Sequence, residues 1–128
     1  MGPHLLPRAR KAGMETYEDI LRHMVVNDRR FVAEQLYRDH SIGEVCGLDD
    51  RSKSLVRVAA LITHGGSAQT FRWTVGDALE AGVTPDQIVG TMLAIAPLVG
   101  AASIVSTARK VALALDYDVD AVLESLDS

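Results

Sequence analysis

Three cationic side chains fall at a spacing that suits the capture of a carboxylate. Lys53, Arg57 and His64 stand at i, i+4 and i+11, one face of a helix turning 3.6 residues at a time. His64 would occupy the last turn, where the helix dipole favours the protonated ring. Arg72 lies on the next helix and is able to form a bidentate pair with a carboxylate. Ser67, Thr70 and Thr74 share one face of that second helix and offer hydroxyls to a ligand. Without an adjacent base they are poor nucleophiles. The arrangement also reads as a solvated basic face with Lys53 bridging to Asp50, and the hydroxyls as capping and packing groups. His64 before Gly65-Gly66 equally reads as a plain helix end.

The element that must position these groups runs from Leu48 to Gly82. Asp49 suits an N-cap, and Val58-Ala-Ala-Leu-Ile62 gives the first helix its apolar run. Gly65 and Gly66 suit a left-handed helix end. Ser67 suits the cap of the second helix and Gly82 its end. So short a link predicts an antiparallel pair. On the second helix Phe71, Val75, Ala78 and Leu79 form one stripe. Trp73 lies about 200° from Phe71 and predicts another apolar surface, either a covering segment, a subunit interface or a pocket wall.

Thr16 with Asp19 resembles a capping box, and apolar residues at helical spacing follow to Asn27. Asp28 suits the cap of a second helix. Thr84-Pro85-Asp86-Gln87 combines an N-cap, a first-turn proline and a capping-box glutamine. Pro97 predicts a kink or stop, and Gly100 a break. A small-residue helix is predicted from Ala101 to Leu115, central because small side chains permit close approach. Asp118 suits the cap of a last helix through Leu126. No stretch alternates with period two, so the fold class is all-α with about seven helices.

The 128 residues suit one domain over 15–128, preceded by a basic arm, 1–14, that carries Arg8, Arg10 and Lys11. A net charge of −4 gives no nucleic-acid footprint, and no apolar run is long enough for a membrane. The single cysteine, Cys46, stands in a predicted loop over 41–47 and has no intrachain disulfide partner. A reduced, cytoplasmic setting follows as the default. His4, His23, His40 and His64 lack metal-ligand spacing, so no metal or other cofactor is expected.

Leu48-Asp-Asp-Arg-Ser-Lys-Ser-Leu55, Ala78-Leu-Glu-Ala-Gly-Val-Thr-Pro-Asp-Gln-Ile88 and Gly100-Ala-Ala102 together resemble the carboxymuconolactone decarboxylase family, which includes the alkylhydroperoxidase D-like proteins. The similarity covers about residues 30–117. It implies an alkylhydroperoxidase D-like helical domain that assembles as a homo-oligomer, a trimer or hexamer. Redox members carry a Glu on the first helix and Cys-x-x-Cys-x-x-x-His on the second. Counted back from Gly82, these fall near Ser54 and at Ser67, Thr70 and Thr74. A disulfide relay needs two thiols and a base, so thiol peroxidase activity is not expected. Arg72 matches an Arg common in the family beside that His. The resemblance implies a cofactor-free lyase, decarboxylase or isomerase acting on a small anionic, carboxylated or cyclic metabolite. His64 is then the catalytic acid or base, and Arg57, Arg72, Ser67, Thr70, Trp73 and Thr74 are substrate-binding. The alternative is a non-catalytic binder or assembly protein.

Overall fold

The computed structural model describes residues 16–36 and 47–127. Among them are seven helices and no strand: α1 (Tyr17–Val25), α2 (Arg29–Leu36), α3 (Asp50–His64), α4 (Ala68–Glu80), α5 (Pro85–Val99), α6 (Ala101–Ala114) and α7 (Val119–Leu126). The all-α class is as the periodicity predicts. The chain divides into two compact units, Met1–Ile42 and Gly43–Ser128. The basic arm, His4, His40 and Cys46 lie outside the described residues.

In the first unit, Thr16 and Asp19 close a reciprocal capping box at the start of α1. Asn27 turns the chain at φ 51°, a conformation asparagine tolerates better than most residues. Asp28 then serves two partners. One carboxylate oxygen accepts the Phe31 N–H at 3.2 Å, and the other pairs with His23 Nδ1 at 3.0 Å. The His23 ring stacks on Phe31 with centroids 4.6 Å apart. This one side chain therefore joins the helix end to the helix start.

In the second unit, Asp49 caps α3 by accepting the Ser52 N–H at 2.8 Å. Gly65 ends α3 at φ 82° and donates its N–H to Leu61 O at 2.7 Å. A β-carbon on Gly66 would lie 2.9 Å from Leu61 Cδ1, so a larger residue there would have to displace the end of the Leu61 side chain. Ser67 caps α4 by accepting the Thr70 N–H. At the far end, Gly82 turns at φ 92° beside the Arg51 side chain. The start of α3 thus adjoins the end of α4, and the pair runs antiparallel. Arg51 also donates to Gln87 Oε1 at 2.7 Å, so it ties α3 to the capping box that Thr84 and Gln87 form at the head of α5. Pro97, expected to kink or stop this helix, lies inside it, and α5 continues to Val99. The stop is Gly100, at φ 88°.

Val58, Ile62, Phe71, Val75, Ala78, Val83, Ile88, Met92 and Val111 form the core of this unit. α4 packs against both α3 and α6, and the small-residue helix α6 itself adjoins α3, α4, α5 and α7. Lys110 reaches from α6 to donate to Gly66 O at 2.6 Å, with its ammonium 5.8 Å from the centre of the Phe71 ring. Phe71 is 1% exposed and Trp73 64%, so the two aromatics face opposite ways as the helical angle predicts. Leu79, expected on the Phe71 stripe, is exposed.

Two expected results follow from the caps. Thr84→Ala removes the side-chain acceptor for the Gln87 N–H, and urea unfolding should show a loss of about 1 kcal/mol. The Asp49 carboxyl is held below its ordinary value of 3.8, first by the Ser52 backbone N–H and then by the Ser52 hydroxyl. Its folded pKa lies below its unfolded one. The stabilisation is therefore fully present above about pH 3.8 and is lost as pH falls through the lower folded value. Asp49→Asn keeps a capping oxygen without the charge. Its stability should fall less steeply on acidification than the parent's, read by urea melts across that range.

Candidate active site between α3 and α4

Antiparallel helices of matched rise put predictable positions level with one another. Counting inward from the Arg51–Gly82 contact sets Asp77 opposite Val56, and hence level with Ser54 and Arg57. Thr74, one turn back along α4, comes level with the middle of α3. At this level the two helices enclose an open cleft of about 340 Å³. Ser54, Arg57, Ala60, Leu61 and His64 line it from α3, and Thr74 and Asp77 from α4. The five α3 positions recur at three and four residues, so they form one face.

The α3 wall of the cleft is polar at both ends and apolar between. Arg57 faces the Asp77 side of α4 at one end. His64 lies seven residues further along α3, roughly 10 Å at the helical rise. Ala60 and Leu61 form the stretch between them. Arg57, His64 and Asp77 are exposed, and Ser54 and Thr74 half-buried. Arg57, His64, Thr74 and Asp77 take part in none of the ion pairs or side-chain hydrogen bonds among the described residues. An arginine, a histidine, a carboxylate and a hydroxyl therefore converge on one space with their bonding capacity open to a ligand.

The other residues singled out in the sequence are placed elsewhere. Lys53 is 5% exposed and pairs with Asp50 at 3.3 Å. The Asp50 bridge is the pairing that the spacing also allowed, and of the three cations only Arg57 and His64 line the cleft. Ser67 is occupied by its cap and by Thr70, whose hydroxyl lies 2.9 Å from its own. Neither lines the cleft. Arg72 is exposed, and the 200° between it and Thr74 puts it on another side of α4. Trp73 is also outside the cleft lining, although it is one turn from Asp77 on the outer surface. Asp77 was missed in the sequence. Its one sequence signal is its place three residues after Thr74, on the same helical face.

Among the described residues, no group of three or more His, Cys, Asp or Glu side chains gathers as metal ligands would. No single helix there is long and apolar enough to cross a membrane.

The fold and the cleft define a small all-helical protein whose polar groups meet between two antiparallel helices. Residues 35–114 match the family model of the carboxymuconolactone decarboxylase family. The match covers more than half of the chain and takes in α3 to α6 entire, and the chain belongs to that family. No curated protein and no solved structure matches it.

Proposed function

We propose that the α3–α4 cleft binds a small carboxylated metabolite, cyclic or open-chain, and that the protein acts on it as a cofactor-free lyase, decarboxylase or isomerase. The observation that supports this reading is the convergence of Arg57, His64 and Thr74 on one apolar-floored cleft with no internal partners. Arg57 holds the carboxylate through paired N–H groups. The body of the ligand lies along Ala60 and Leu61. His64 gives or takes the proton at the reacting carbon, since an imidazole is the lining side chain suited to do both. Of the other positions expected to bind substrate, Thr74 is retained. Ser67, Thr70, Arg72 and Trp73 are assigned to capping and to the outer surface of α4. Mass spectrometry of small molecules released from the native protein tests the reading. A carboxylated compound that the Arg57→Met variant fails to retain supports it, and an identical release profile from both proteins counts against it.

A second reading, a non-catalytic binder, is favoured by the same residues in one respect. Thr74 stands where catalytic members of the family carry a histidine, and His64 lies on the other helix. Thiol peroxidase chemistry is disfavoured because Ser67 and Thr70 fill the cysteine positions.

The outer surface of α5 supports a homo-oligomer. α5 carries Asp86 as its only charge and exposes Val89, Gly90, Leu93, Ala94, Pro97 and Leu98. A helix apolar on all sides belongs in an interior, and a second copy of the chain supplies one.

A further inference from the structure

Asp77 is an odd presence in a cleft built for an anion. It lies level with Arg57 on the facing helix, yet the two form no ion pair. A carboxylate at that place repels a ligand's negative charge unless the ligand brings something for it to accept. Resting on the proposed carboxylate site, we infer that Asp77 is its specificity-determining residue. It makes the cleft selective for carboxylates that carry a hydrogen-bond donor, a hydroxyl or an ammonium, on the neighbouring carbon.

Such a head group matches what the two helices offer. Its carboxylate takes the two parallel N–H groups of Arg57. Its donor points across the cleft to Asp77, an acceptor with two oxygens and no protons to give. Thr74, one turn along α4, supplies a further hydroxyl. Ala60 and Leu61 then receive an aliphatic tail directed towards His64. A plain carboxylate leaves Asp77 without a donor and close to a like charge. A charged hydrogen-bond partner left unmatched in a partly enclosed site discriminates more strongly than a lost apolar contact.

Three probes of one shape separate these effects: isocaproate, α-hydroxyisocaproate and free leucine. Their affinities are measured by calorimetry on the full chain and on Asp77→Ala and Arg57→Met. Asp77 is exposed and within a helix, where alanine is the strongest helix former, so the variant retains the fold. The parent is expected to bind at least one donor-bearing probe about tenfold more tightly than isocaproate. An advantage for leucine alone identifies an ammonium, and one for α-hydroxyisocaproate alone a hydroxyl. Asp77→Ala should weaken the donor-bearing probe and strengthen isocaproate, because removing a negative charge helps a bare anion. A merely structural role would weaken both alike. Equal binding of all three probes, lost in Arg57→Met and unchanged in Asp77→Ala, would overturn the role of Asp77 and leave the carboxylate site standing. Binding of none, or binding indifferent to Arg57→Met, would overturn the site and the inference together.

Discussion

Phe71→Ala should lower the unfolding free energy by about 3–5 kcal/mol, whereas Trp73→Ala, two residues away, should leave the unfolding of the isolated chain almost unchanged. Phe71 is 1% exposed and lies in the core with Val58, Val75 and Val111, under the Lys110 ammonium. Truncating it leaves a cavity that helices on both sides of α4 cannot close. It also removes the ring beneath the ammonium that secures the α3–α4 link through Gly66. Trp73 is 64% exposed and fills no part of that core. Its loss should appear in assembly instead. If Trp73 anchors contact with a second copy, truncation weakens association by about 2 kcal/mol or more. Urea melts read the first effect, and light scattering over a dilution series reads the second. A Trp73→Ala chain that unfolds as easily as Phe71→Ala would mean that α4 is packed on both faces within one chain.

The second large effect concerns the cleft. Arg57→Met preserves the aliphatic stem and removes the guanidinium. Binding of a carboxylated ligand should weaken by roughly tenfold to a hundredfold, the worth of a charged hydrogen-bonding pair. Stability should change little, because Arg57 is exposed and makes no internal ion pair. His64→Ala should behave differently. If His64 moves the proton, turnover falls by about a hundredfold or more with affinity nearly kept. Equal losses of affinity in both variants would make His64 a second binding group and favour the non-catalytic reading.

The helix pattern was legible because its signals are local. Thr16, Asp28, Asp49, Ser67, Thr84 and Asp118 each stand before a helix and accept, or in the capping box exchange, a hydrogen bond three residues on, so their spacing alone marks the helix starts. Opposite burial of Phe71 and Trp73 followed from helical angle alone. Of the two outcomes that Pro97 suggested, the stop did not occur, and α5 runs through it to Val99. Lys53 pairs with Asp50 as their spacing suggests, but spacing does not say whether a face is covered, and a lysine stem is apolar enough to be buried beside a carboxylate. Asp77 was hidden for a related reason. Its meaning depends on the register between α3 and α4, which Gly82 and Arg51 set through contact rather than through sequence spacing.

The central claim is that the α3–α4 cleft takes a small carboxylate through Arg57. Amide and side-chain NMR titration of the native protein with isocaproate, beside its uncharged primary amide, tests it most directly. The expected result is saturable shifts for the acid at Ser54, Arg57, Leu61, His64, Thr74 and Asp77, with the amide producing them only at much higher concentration. Shifts that are the same for the two compounds, or that fall on Ser67, Arg72 and Trp73 instead of the cleft, would contradict it.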